Sequence, residues 1–302
     1  MKNKCLAGLV AVLLLVTACG SDSDSDAKST TTTRSGGASA SATTPKRIVS
    51  LSATSTEMLY AIGAGKQVVA VDDQSNFPAG VPKTDLSAYT PNVEAIAKYK
   101  PDLVVIADDT KGLKAGLEKL KMRVLSQPAA TTVEDTYREI TELGAATGHE
   151  AEAAKENASI KSGLADAVKD LPARPTPLTY YYELDNTLYS VTSKTFVGSL
   201  LGMAGLTNVA DAADAGGQSG GYPQLSAEFL VQANPDLVFL ADTKCCQQDA
   251  KTFAARPGFA RLKAVTSNQV VPLDDDIASR WGPRIVELLR RAVDAVKAVP
   301  RS

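Results

Sequence analysis

The sequence predicts an α/β protein of two Rossmann-like lobes with parallel sheets, joined by a long rigid α-helix, with a ligand cleft between the lobes. Three observations carry this prediction. Short apolar strands alternate with helical segments in both halves of the chain, a proline-free helical stretch separates the halves, and one helix–strand unit occurs in each half.

Lys2 and Lys4 precede an apolar run, Leu6 to Val16, that is too short to span a bilayer stably. The run closes on Val16-Thr17-Ala18-Cys19, which resembles a lipobox. Residues 1–18 therefore read as a lipoprotein signal peptide and Cys19 as the residue that receives lipid. Two or three acyl chains there would hold the protein to a membrane far better than one. Gly20 to Thr44 is almost entirely Ser, Asp, Thr, Gly and Ala, so residues 19–45 read as a disordered tether. Loss of residues 1–18 leaves 30 basic against 34 acidic residues, a charge of −4 with no basic patch, which argues against nucleic acid as a partner.

Folded sequence begins near Lys46. Lys46 to Leu51 is a buried first strand, and Ser52, Thr54, Ser55 and Thr56 form a hydroxyl-rich cap before a helix from Glu57 to Ile62. Val68 to Val71, Asp102 to Ala107 and Arg123 to Leu125 are strands, with helices at Asn92 to Tyr99 and Leu113 to Lys121. Residues 46–130 are thus an N-terminal α/β lobe. Residues 131–172 are a helical linker containing Thr132 to Thr147 and a backbone helix from His149 to Leu171, about 35 Å long at 1.5 Å per residue. Pro172, Pro175 and Pro177 end it, and Gly163 is its one point of expected flexibility. Residues 173–302 are a C-terminal α/β lobe. Its strands are Leu178 to Tyr182, Leu237 to Ala241 and Gln269 to Pro272, with helices at Thr195 to Ala204 and Arg284 to Val299.

The repeated unit is Asn92-Val-Glu-Ala-Ile-Ala-Lys-Tyr-Lys-Pro-Asp-Leu-Val-Val-Ile-Ala-Asp, which returns as Ser226-Ala-Glu-Phe-Leu-Val-Gln-Ala-Asn-Pro-Asp-Leu-Val-Phe-Leu-Ala-Asp. In both copies a glutamate, Glu94 or Glu228, stands seven residues before a proline, Pro101 or Pro235.

These segments, together with Arg47-Ile-Val-Ser-Leu-Ser-Ala-Thr-Ser-Thr-Glu-Met-Leu-Tyr-Ala-Ile-Gly-Ala-Gly and Asp276-Ile-Ala-Ser-Arg-Trp-Gly-Pro-Arg284, resemble one family. It is the helical-backbone (class III) substrate-binding proteins of ABC importers for ferric siderophores, haem and cobalamin, and the resemblance covers about residues 46–298. It implies a lipid-anchored receptor on the outer face of the cell membrane. Such a receptor captures a metal chelate (siderophore, cobalamin or haem), delivers it to an ABC permease dimer and needs no cofactor. In that family a glutamate on top of each lobe docks onto permease arginines, and the matching positions are Glu94 and Glu228. From the cobalamin-binding branch the implied ligand residues are Tyr89, Tyr189, Tyr222, Asp276, Arg280 and Gln74. Tyr89 and Tyr222 stand where that branch has tryptophan, and Gln74 where it has tyrosine. Aromatic faces suit a flat corrin or catecholate, and Arg280 suits an anionic ligand or ferric complex. Trp281, the single tryptophan, reads as support for the Arg280 loop.

Cys245 and Cys246 are adjacent and, outside the cell, are expected to close a strained ring disulfide near the cleft mouth. A dithiol metal site is the alternative, weakened by the lack of any histidine other than His149. Two other functional classes compete with the receptor. A secreted hydrolase would need a G-x-S-x-G elbow or a Cys/His pair, and the sequence is read as having neither. A structural or adhesion lipoprotein would need a broad exposed surface and no deep cleft.

Overall fold

Four-residue apolar runs become the strands because a parallel sheet flanked by helices buries both of its faces. In the computed structural model, which describes residues 44–300, β1 (Ile48–Leu51), β2 (Val68–Val71), β3 (Leu103–Ile106) and β4 (Arg123–Ser126) form one parallel sheet in the order β2-β1-β3-β4. A second parallel sheet, from β5 (Thr179–Glu183), β6 (Thr207–Asn208), β7 (Leu237–Leu240) and β8 (Val270–Pro272), is ordered β6-β5-β7-β8. The two sheets match strand for strand. The signal segment, Cys19 and all but the end of the tether lie outside the described residues.

The repeated Pro-Asp has the same task in both lobes. Asp102 accepts from the backbone N–H groups of Lys46 and Arg47 at 2.8 and 3.0 Å, and its own N–H donates to the Arg47 carbonyl at 3.0 Å. Asp236 accepts from the N–H and Oγ1 of Thr179 at 2.8 and 2.9 Å and donates back to the Thr179 carbonyl at 3.0 Å. Each aspartate ties the start of its own strand to the start of the central strand, and so sets the register of the pair.

The helices are α1 (Ala53–Ala61), α2 (Val93–Ala97), α3 (Leu113–Lys119), α4 (Val133–Thr147), α5 (Glu150–Val168), α6 (Phe196–Gly202), α7 (Ala227–Ala233), α8 (Ala250–Ala254), α9 (Lys263–Thr266), α10 (Asp275–Ser279) and α11 (Ile285–Ala298). None among the described residues is long and apolar enough to cross a membrane. Three expectations need correcting. α1 starts at Ala53 with Ser52 as its cap, so Thr54, Ser55 and Thr56 lie inside the helix and are buried. Their hydroxyls find partners there: Ser55 Oγ donates to Ser52 Oγ at 3.1 Å, Thr56 Oγ1 donates to Ser50 Oγ at 2.9 Å, and Thr56 Oγ1 is 2.8 Å from Ser75 Oγ. Tertiary hydrogen bonds thus outweigh the weak helix preference of these residues. The backbone helix α5 spans Glu150–Val168, about 28 Å, because Leu171 precedes Pro172 and is biased out of the helical region. Gly163 marks a close approach: a Cβ there would lie 2.9 Å from Val286 Cγ1 of α11.

Side-chain alternation along the strands divides the core into three. Ile48, Leu103 and Val105 of the first sheet and Tyr180, Tyr182, Leu237 and Phe239 of the second point into one cluster, which also contains residues of α1, α4, α5, α6 and α11. The opposite faces build a separate cluster in each lobe, around Val49, Val104 and Ile106 in one and Tyr181, Val238 and Leu240 in the other. α11 supplies the shared cluster with a buried stripe, Ile285, Leu288, Leu289, Ala292, Val293 and Val296, and packs along α5. Arg280, Trp281 and Arg284 reach Glu57 of α1 and Thr136 and Glu139 of α4, while α11 packs along α5.

Candidate functional site

β1, β2 and β3 all end on the same side of their sheet, and the residues that follow them surround a cavity of about 320 Å³. Ser52, Ala53 and Thr54 come from the start of α1, Asp72 and Gln74 follow β2, and Ala107 and Asp108 follow β3. Asp276, Ser279, Arg280 and Trp281 cover it from the C-terminal segment. A cavity at the carboxyl ends of parallel strands is the usual ligand position in open α/β sheets.

Four of the six expected ligand residues, Gln74, Tyr89, Asp276 and Arg280, line this cavity. Tyr89 is 75 % exposed, an aromatic face held at the rim. Tyr189 and Tyr222 are exposed and belong to the other lobe. The Leu184 N–H, just beyond β5, donates to the Tyr189 carbonyl at 2.9 Å, and Tyr189 bridges to Gln224, two residues from Tyr222. These two tyrosines therefore sit together at the carboxyl end of the second sheet, outside the cavity lining.

Arg280 was expected to pair with an anionic ligand, but its four terminal N–H groups are already taken. Nη1 donates to Glu57 Oε1 at 2.7 Å and to Asn76 Oδ1 at 2.9 Å, and Nη2 donates to the Gln74 carbonyl at 3.0 Å and Asp276 Oδ1 at 2.7 Å. Arg284 adds a forked pair to the same buried Glu57, with Nε 2.8 Å from Oε2 and Nη2 2.5 Å from Oε1. Trp281 supports this segment as expected. Its Nε1 donates to Glu139 Oε2 at 2.8 Å, its carbonyl accepts from Thr136 Oγ1 at 2.8 Å, and it also lines the cavity. Burial pushes the Glu139 carboxyl up to about 7 against the stabilising Trp281 hydrogen bond.

Glu94 and Glu228 occupy the same place in equivalent helices. The caps are Asn92, which accepts from Ala95 N–H at 3.0 Å, and Ser226, which accepts from Phe229 N–H at 3.1 Å. Each glutamate falls in the first turn that follows and is exposed.

Cys245 and Cys246 stand side by side as free cysteines, with Sγ atoms 2.8 Å apart. Their backbone is held by other contacts: the N–H groups of Lys244 and Cys245 donate to Asp275 and that of Cys246 to the Asp242 carbonyl. Burial, then the contact with Cys246, raises the Cys245 thiol to about 12, which keeps thiolate scarce. Among the described residues no group of three or more His, Cys, Asp or Glu is placed to hold a metal ion.

The elbow pattern also needs correcting. Gly217-Gln218-Ser219-Gly220-Gly221 does have the G-x-S-x-G spacing. It forms turns, with neither a strand leading in nor a helix leading out, and Asp214 binds the N–H groups of Ser219 and Gly221 at 2.8 Å each. The one histidine, His149, caps α5 and is not among the cavity residues. This loop positions Tyr222.

Sequence reasoning missed Glu57, Asn76, Asp72 and Asp108. Two signals were available: a single acid inside an otherwise uncharged helix, with two arginines four residues apart elsewhere to pair with it, and an aspartate just beyond each of two buried strands.

Comparison with known proteins agrees with this architecture. Residues 48–277, well over half of the chain, match the family model described as periplasmic binding protein. An uncharacterized ABC transporter substrate-binding lipoprotein, YvrC of Bacillus subtilis (strain 168), is 29 % identical over 261 residues, covering 83 % of this chain and 80 % of the relative. A cobalamin-binding protein of Halobacterium salinarum (strain ATCC 29341 / DSM 671 / R1) is also 29 % identical over 261 residues, covering 83 % and 69 %. Among solved structures, a possible iron-binding (periplasmic solute-binding) protein from Staphylococcus epidermidis ATCC 12228 superposes with a TM-score of 0.71 at 26 % identity, covering 83 % of this chain and 98 % of that one. With matching sheets, a cavity at the strand ends and a family match spanning both lobes, this chain belongs to the periplasmic binding protein family.

Proposed function

We propose that this protein is the extracytoplasmic receptor of an ABC importer, anchored through lipid on Cys19, and that it captures a ferric siderophore or cobalamin-type chelate for a permease dimer. The observation that carries the proposal is the union of a cavity at the carboxyl ends of the first sheet's strands with two exposed glutamates, Glu94 and Glu228, at equivalent positions in duplicated units. A pair of carboxylates at a fixed separation gives docking register and salt-sensitive steering, while a separate cavity holds the ligand. The names of the relatives, which include an ABC transporter lipoprotein and a cobalamin-binding protein, support the same assignment. The core shared by both lobes favours a largely preformed cleft, so little ordering cost accompanies binding.

The single tryptophan lines the cavity and reports on it. Titration with cyanocobalamin, haemin or a ferric hydroxamate is expected to quench Trp281 emission saturably with a Kd below about 1 µM for at least one of them. No saturable response to any would defeat the receptor assignment. Combining Glu94→Lys with Glu228→Lys is expected to abolish uptake in cells and to leave chelate affinity within a few fold. A collapse of affinity would move both glutamates from a docking surface to the ligand site.

A further inference from the structure

We infer that the cavity selects neutral or cationic metal chelates and rejects polyanionic ones. The inference rests on the receptor assignment above and adds the charge class of the ligand.

The cations around the cavity are already matched by the protein. Arg280 and Arg284 face Glu57 and Asp276, and Lys244 Nζ lies 2.6 Å from Asp276 and 2.8 Å from Asp274. Arg280 is the only cation among the residues lining the cavity, and its side chain is 9 % exposed. An anionic ligand could recruit it only by displacing one of the partners that take its four terminal N–H groups, Glu57, Asn76, the Gln74 carbonyl or Asp276.

Two lining carboxylates have no such match. Asp72 accepts a hydrogen bond from Ser75 Oγ, a neutral donor. Asp108 is exposed and, among the described residues, has neither a side-chain hydrogen bond nor an ion pair. A chelate entering the cavity therefore meets carboxylates with no ion-pair partner, exposed Asp108 above all, beside the open face of Tyr89; burial raises the Asp72 carboxyl above its usual range, with Arg280 opposing that shift. Near these carboxylates each extra negative charge on a ligand is repelled and each positive one attracted. An aromatic face adds to the preference for a cation.

Isothermal titration calorimetry of the folded protein tests this with three probes: ferrioxamine B, a monocation; cyanocobalamin, neutral overall; and ferric enterobactin, a trianion. The first two are expected to bind at least about 100-fold more tightly than the trianion in low salt, with the gap to the monocation shrinking as salt rises. Asp108→Lys, a change at an exposed position, is expected to raise trianion affinity by about 10-fold or more and to lower that of the monocation. Tightest binding of the trianion by the parent protein would overturn the inference and leave the receptor assignment standing. So would an order of affinities unmoved by Asp108→Lys. Failure of all three probes to bind would remove the receptor assignment and this inference with it.

Discussion

The two lobes share a sheet order and an aspartate clamp, yet they treat the carboxyl ends of their strands in opposite ways. In the N-terminal lobe β1 passes through Ser52 directly into α1, and the space beyond the strands stays open as the cavity. In the C-terminal lobe the corresponding strand β5 ends on Glu183, fully buried, which accepts a forked pair from Arg256 at 2.6 and 2.7 Å and a hydrogen bond from Tyr181 Oη at 3.2 Å. Asp242, just beyond β7, is buried beside this pair with neither carboxylate oxygen partnered. Burial, with the charge of Glu183 adding to it, raises the Asp242 carboxyl to about 7 despite Arg256. The two lobes share a frame in which strand starts are locked by the aspartate clamps. The other end differs, one lobe keeping an open cavity and the other filling the space with ions.

The sharpest way to break that comparison is to remove the filling. Arg256→Leu strands Glu183 and Asp242 in a buried site and is expected to cost about 3–5 kcal/mol in urea unfolding. A loss below about 1 kcal/mol would mean that water reaches this end of the C-terminal lobe as it reaches the cavity.

Asp242→Asn tests the same site through pH. Its folded carboxyl titrates near 7 and its unfolded one near 4. Between these values the folded state keeps a proton that the unfolded state has lost, so stability falls as pH rises through the window, with the full cost present above about 7. The asparagine is expected to flatten the slope and to stabilise the protein at pH 8 by roughly 1–3 kcal/mol, since its amide can donate to Glu183. Glu139, also raised to about 7 by burial, leaves a residual slope of the same sign. An unchanged slope would show that Asp242 is ionised and solvated in the folded protein.

The final comparison sharpens the likeness between the lobes. Asp102→Ala and Asp236→Ala each remove two hydrogen bonds to a carboxylate and are expected to cost about 1.5–3 kcal/mol, equal to within about 1 kcal/mol. Asp236 also pairs with Lys263, a surface contact that accounts for at most a small difference. A gap wider than that would show that the two clamps carry unequal shares of their sheets.

Much of this was legible in the chain. The strands around Ile48, Val68, Leu103 and Leu237 were visible as apolar runs, and the duplicated Pro-Asp unit announced two lobes of one design. Gly163 in the backbone helix points from sequence to flexibility, because glycine in a helix signals weakness unless a neighbour needs the space. That neighbour, Val286, lies on α11. The short strand Thr207–Asn208 and the helices Ala250–Ala254, Lys263–Thr266 and Asp275–Ser279 escaped notice, since four or five residues give too little periodicity to detect. At the site, Gln74, Tyr89, Asp276 and Arg280 gathered around one cavity, but the family resemblance located them and no local pattern did.

The sequence alone determined strand burial, the helix beginning at Asn92 and the amphipathic pattern of α11. Each of these follows from interactions among residues a few positions apart, so the local order of side chains contains it. Only the tertiary structure decided which lobe keeps an open strand end, that Glu57 consumes both arginines of the C-terminal segment, and that Asp72 and Asp108 are left without a cation. Glu57 and Arg284 are 227 residues apart in the chain, and whether a charge is spent or free depends on which side chains the folded backbone brings within 3 Å of it.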